Sequence, residues 1–211
     1  MKKLESSLTN MVVVLVAVAV ITGGLLAWVN DFTSGPIKVQ KDLVLSEGIK
    51  TVMGLSDIKV TDNDTINKEI GGKPNLFVVH KVSDASGNFL GAAVESSSMG
   101  FGGELKVLVG FDAKGKVLGY TVLQHSETPG LGAKADKWFQ KDGKGNIIGR
   151  DLSTSKPLVV RKDGGDVDAI TASTITSRAF LKAVNQAYAV YAQQDVDAVS
   201  GATKHSTSDK E

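Results

Sequence analysis

The 211-residue chain is 42% hydrophobic, enough to bury the core of one domain with an appendage. Its 24 basic and 23 acidic residues leave a net charge of +1, which argues against the basic field that nucleic-acid binding needs. The absence of cysteine excludes disulfides, thiolate-ligated iron–sulfur clusters and cysteine nucleophiles, so any redox chemistry has to be carried by a bound group.

From Met11 to Val29 the chain is uncharged and apolar apart from Thr22, Gly23 and Gly24, about the length that crosses roughly 30 Å of hydrocarbon. A cleavable signal has a shorter apolar region and a small-residue cleavage site. Trp28, Val29, Asn30, Asp31 and Phe32 do not look like such a site, so the segment reads as a retained anchor. Lys2 and Lys3 precede it and orient it by the positive-inside bias, with Trp28 as an interfacial aromatic. Residues 1–10 are then cytoplasmic, 11–29 transmembrane and the remainder extracytoplasmic, divided into a domain at 30–194 and a polar tail at 195–211.

Thr33, Ser34, Gly35 and Pro36 read as a linker whose proline starts a helix from Ile37 to Val52. The polar stretch Thr61 to Asn75 reads mostly as loop. Four runs then carry strand character: Leu76 to Val82, Phe89 to Val94, Leu105 to Phe111 and Val117 to Leu123. Their short connections make the sheet antiparallel. Gly100, Gly102 and Gly103 around Phe101 permit a tight turn or a close approach of backbone to a ligand. Ala133 to Gln140 suggests a short helix, Lys141 to Ile147 a turn, and Pro157 to Lys162 another strand. Ser177 to Tyr191 has the spacing of an amphipathic helix. The class is α+β: one N-terminal transmembrane helix, then a single domain with an antiparallel sheet flanked by helices.

Two stretches bear on chemistry. Ser126-Glu127-Thr128-Pro129-Gly130-Leu131-Gly132 combines a rigid proline with permissive glycines, which exposes backbone polar groups to a ligand or simply makes a turn. Asp168-Ala169-Ile170-Thr171-Ala172-Ser173-Thr174-Ile175-Thr176-Ser177 places a cluster of hydroxyls just before the last helix. Such residues either cap the helix or, with its first-turn N–H groups, hold a phosphate. His80, His125 and His205 are too scattered for a zinc signature. His125 lacks the nucleophile elbow and aspartate of a hydrolase. No Gly-x-Gly-x-x-Gly leads from a strand into a helix, so direct binding of NAD is not indicated.

Taken together, the anchor, the Gly100–Gly103 turn, the strand Leu105 to Gly110, the Glu127–Gly132 stretch and the Asp168–Ser177 segment resemble one family. It is the FMN-binding domain shared by the G subunit of the Rnf complex and the C subunit of the sodium-translocating NADH:quinone oxidoreductase. The resemblance implies an electron-transfer subunit of a membrane-bound, ion-translocating ferredoxin:NAD oxidoreductase, with other subunits of that complex as partners. The quinone-reducing complex is the alternative, and a flavin-free anchored scaffold is the alternative of another class. FMN would be joined by a phosphoester to Thr174, installed by an FMN transferase that recognises Asp-x-x-Ser/Thr-Gly-Ala-Thr. Asp168 and Thr171 would serve recognition, although Ala172 and Ser173 stand where Gly and Ala are usual. Glu127, Thr128, Gly130, Leu131 and Gly132 would line the ring or ribityl chain, and Ser173, Ile175, Thr176 and Ser177 would surround the phosphate. A second match, Asp197 to Thr203, follows the transferase pattern without departures and makes Thr203 a rival acceptor.

Overall fold

A computed structural model describes residues 8–55, 58–70, 73–154 and 156–193. Lys2, Lys3 and the tail with Asp197 to Thr203 lie outside the described residues. The chain divides into two units, Met1–Val44 and Leu45–Glu211. In the first unit, helix α1 (Leu8–Met53) begins, and no described residue of that unit is buried. Among the described residues α1 is the one helix long and apolar enough to cross a membrane.

The expected linker at Thr33 to Pro36 is not there, because α1 runs through Pro36 without a break. The hydroxyls of Thr33 and Ser34 donate to the helix's own carbonyls at Val29 and Asp31, both at 2.8 Å, and so add to the helix what a turn would have used. An interior proline removes one backbone bond, a cost that a helix of 46 residues absorbs.

The second unit is built on a five-stranded antiparallel sheet in the order β1-β2-β3-β4-β5: Lys59–Ile70, Lys73–Ser83, Phe89–Met99, Glu104–Asp112 and Val117–Gln124. The first strand corrects the sequence reading of Thr61 to Asn75 as mostly loop, since residues 61–70 lie in β1 and 73–75 in β2. An edge strand that packs little of its surface needs few apolar residues, so the alternation that marks a strand is missing there. Lys81 of β2 reaches across it to Asp62 and Asp64, at 3.2 and 2.7 Å.

Strands β3 and β4 are buried on both faces, which explains their nearly continuous apolar runs. On one face Val94, Leu105, Val107, Val109 and Phe111 meet Phe180, Val184 and Ala187 of helix α3 (Thr174–Tyr191). On the other, Val82, Ala93 and Leu108 meet Ile49, Val52 and Met53 from the end of α1. Gly110 and Gly119, paired across β4 and β5, let the helix end come close: a Cβ on either would stand 2.7–2.8 Å from the Val52 carbonyl oxygen. Next to this contact a polar ladder crosses four strands. His80 bonds Asn63 at 2.7 Å and Glu95 at 2.8 Å, and Glu95 also pairs with Lys106 at 2.5 Å. Burial opposes ionisation of Glu95, but the hydrogen bonds from His80 and Lys106 outweigh it and hold the carboxyl below its usual value.

Beyond β5 the chain packs along α3, with Phe139 stacked on Phe180 at 4.3 Å between ring centroids. A short helix α2 (Ala135–Trp138) occurs where one was expected. Pro157 to Lys162 does not form the expected strand: it makes a single bridge from Val160 to Val167 and then a turn of 3₁₀ helix at Arg161–Asp163. Gly164 (φ 87°) turns the chain back on itself, and the Asn185 side chain on α3 satisfies both the N–H and the C=O of Leu158 at 2.9 Å each. Backbone groups served by a side chain leave nothing for a ladder.

Candidate functional site

Three segments converge at the N-terminal end of α3. The first is the β3–β4 turn, closed by the Gly100 N–H bonding the Gly103 carbonyl at 2.8 Å. The second is the loop after β5, where Thr128-Pro129-Gly130-Leu131 forms a turn with proline second and Gly130 third at φ 75°. Its Leu131 N–H reaches the Thr128 carbonyl at 3.1 Å. The third is the run from Asp168 into α3.

That run is held at both ends. Trp138 donates its indole N–H to the Asp168 carbonyl at 2.8 Å, and the Asp168 carboxylate pairs outward with Arg161 at 2.6 Å. Deeper in, Ser177 Oγ accepts the Ile170 N–H and donates to the Ser173 carbonyl, each at 2.9 Å. Between these ties Ala172 adopts φ 61°, a left-handed conformation that favours glycine. Ser173 stands at the N-cap of α3, yet no side-chain hydrogen bond caps the helix there. Among the described residues, the first-turn N–H groups are thereby left without a side-chain cap at the positive end of the helix.

Glu127 joins the segments. Its carboxylate accepts the Phe101 N–H at 2.8 Å and the Gly102 N–H at 3.3 Å through Oε1, and the Thr176 hydroxyl at 2.7 Å through Oε2. The loop behind it is fastened to the core through Tyr120 on β5, whose hydroxyl donates to the Ala135 carbonyl at 2.7 Å and accepts the Phe139 N–H at 3.2 Å. Burial pushes that phenol well above its ordinary value, so it stays a neutral donor.

The three segments enclose a cleft of about 390 Å³, within the ~300–1,000 Å³ range of small-ligand sites. Of the residues singled out in the sequence, Glu127, Thr128, Leu131, Gly132, Ser173, Thr174, Ile175 and Thr176 line it. Gly130 faces a neighbouring cleft beside Lys134, Lys137 and Trp138, and Ser177 is committed to the local bonds above. Asp168 and Thr171 are not among the lining residues. Two residues that sequence reasoning did not place in a site, Phe101 and Ala172, do line it. Phe101 is 71% exposed in a turn of glycines, and that pairing of an aromatic with a glycine cluster was the available signal. His125 accepts the Glu127 N–H on Nδ1 at 3.2 Å, and its Nε2 lies 3.9 Å from Asp136.

Residues 100–189, which include every residue lining the cleft, match the family model of the FMN-binding domain. The G subunit of the ion-translocating oxidoreductase complex of Shewanella oneidensis is 33% identical over 189 residues, covering 86% of this chain and 88% of that one. The chain belongs to the G-subunit family of ion-translocating oxidoreductase complexes. Within this family, the G subunit of the Na(+)-translocating ferredoxin:NAD(+) oxidoreductase complex of Acetobacterium woodii is 30% identical over 184 residues, 84% of this chain and 88% of that one. Among solved structures, NqrC of Shewanella oneidensis has the same fold, with a TM-score of 0.54 at 18% identity over 72% of this chain and 94% of that chain.

Proposed function

We propose that the chain is the membrane-anchored electron-transfer subunit of an ion-translocating oxidoreductase complex and carries FMN as a phosphoester on Thr174. One observation carries this reading: the cleft brings the Thr174 hydroxyl, the uncapped start of α3 and an apolar rim into one space. A flavin nucleotide needs those three things, a flat apolar slot for the ring, an anion site for the phosphate and a point of attachment. Phe101, Leu131 and Ile175 supply the slot. The first-turn N–H groups and the Ser173 and Thr174 hydroxyls supply the phosphate end. Bound there, FMN would supply electron transfer, and the chain's own task reduces to retention, orientation and control of water access. A covalent bond stops the cofactor from diffusing away on the extracytoplasmic side, the side that Lys2 and Lys3 assign to the domain.

The partners are the other subunits of the complex, the membrane around α1, and an FMN transferase during maturation. Transferase recognition falls to Asp168 and Thr171. Asp168 is about half-exposed and ion-paired with Arg161, so it is reachable once that pair exchanges.

The variant Thr174→Val removes the acceptor hydroxyl at a half-buried position. Covalent flavin, read as in-gel fluorescence of protein from its native membrane, is lost, while the far-ultraviolet circular dichroism is kept. Fluorescence retained in Thr174→Val and lost in Thr203→Val would move the attachment to the tail.

A further inference from the structure

We infer that Glu127 is a positioning residue of the flavin cleft, an anionic tie that fixes the spacing of its walls and sets the potential of the bound ring from behind. The inference rests on the flavin reading above and assigns Glu127 a role other than ligand. Only 6% of Glu127 is exposed, and both carboxylate oxygens are engaged within the protein. Two donors come from the β3–β4 turn, which carries Phe101, and the third comes from the first turn of α3, which carries Thr174. One side chain therefore holds the aromatic wall and the attachment residue at a fixed separation. Small residues leave room for it: a Cβ on Gly100 or on Gly132 would collide with the carboxylate, and one on Gly132 would stand 2.8 Å from Thr176 Oγ1.

The tie also has an electrostatic side. Among the described residues no lysine, arginine or histidine pairs with the Glu127 carboxylate, whose partners are two amides and a hydroxyl; His125 meets only the Glu127 N–H. A buried carboxylate without a counter-cation is screened little by solvent. It disfavours the arrival of electrons on a ring in the adjoining cleft, and so holds the flavin potential down.

Two variants separate geometry from charge in the full-length chain. Glu127→Gln keeps an acceptor for the Phe101 and Gly102 amides, and the Thr176 hydroxyl can rotate to accept from the new NH₂, so the walls stay and the charge goes. The midpoint potential of the bound flavin then shifts positive, while hydrogen exchange at the Phe101 and Gly102 amides is unchanged. Glu127→Asp keeps the charge one methylene short of its partners. In a Thr174→Val background without flavin, exchange at the same two amides rises about tenfold or more, the loss expected for a charge-assisted hydrogen bond. A third variant, Thr176→Val, loosens the α3 side alone and leaves Phe101 and Gly102 protected. An unshifted potential in Glu127→Gln overturns the electrostatic role, and unchanged amide exchange in Glu127→Asp overturns the tie. Wild-type protein without flavin would instead contradict the cofactor reading, and the exchange measurement on the flavin-free chain would still decide the tie.

Discussion

Glu95 and Glu127 are buried to the same degree, each 6% exposed, yet they are held in opposite ways. Glu95 lies on the sheet face that packs against the end of α1, between the imidazole of His80 and the ammonium of Lys106. Glu127 lines the cleft, and among the described residues its carboxylate is held by two amide N–H groups and a hydroxyl. A carboxylate paired with a lysine ammonium is electrically quiet and serves the fold. One held by neutral donors keeps its field, which a neighbouring cofactor would feel. Equal burial therefore says little about role, and the chemistry of the partners says much.

The largest effect that sharpens this contrast comes from Glu95→Gln. It removes the charged acceptor from the buried His80 while Lys106, partly exposed, turns to solvent, and loss of a hydrogen bond to a charged group costs about 1.5–3 kcal/mol. Urea unfolding should show that loss at neutral pH with flavin content unchanged. A stability within about 0.5 kcal/mol of wild type would remove the distinction between the two glutamates.

Acid titration gives a second test. The Glu95 carboxyl is held below its ordinary value of 4.5 in the fold. The unfolded chain therefore takes up the proton first as pH falls. The contribution is complete above about pH 4.5 and is lost below it, as pH falls through the folded value. Wild-type stability should drop along that limb, and Glu95→Gln should show a shallower drop. Parallel limbs would contradict the assignment.

The smallest expected change is Ala172→Gly. Ala172 sits at φ 61° in the cleft wall, where glycine relieves strain worth about 1 kcal/mol. A rise in the unfolding midpoint, with the attachment site unchanged, is the expected result. A fall would mean that chain entropy outweighs backbone strain at this position.

How far the sequence could be read depended on how local each cause was. Strand β4 was legible because the nearly continuous apolar run from Leu105 to Phe111 reports burial on both faces. Strand β1 was not, because an edge strand of Thr, Asp and Asn carries no such pattern, and its partners lie across a hairpin. Pro36 marks a helix start by local rules but lies inside a continuous helix. At the site, the hydroxyl cluster before α3 and the Glu127–Gly132 stretch were visible as motifs. The part of Glu127 was not, because its partners stand 25, 26 and 49 residues away and only the fold brings them together. In the pattern that the resemblance implies, Ala172 occupies a glycine position, and its left-handed backbone supplies a physical reason for glycine there.

The central claim is a covalent flavin at the start of α3, and intact mass with peptide mapping of protein from its native membrane tests it most directly. The account predicts an added mass of FMN less one water on the peptide that contains Thr174. The adduct on the Thr203 peptide alone, or an unmodified chain, would contradict it, and the unmodified chain would leave a membrane-anchored scaffold as the better reading.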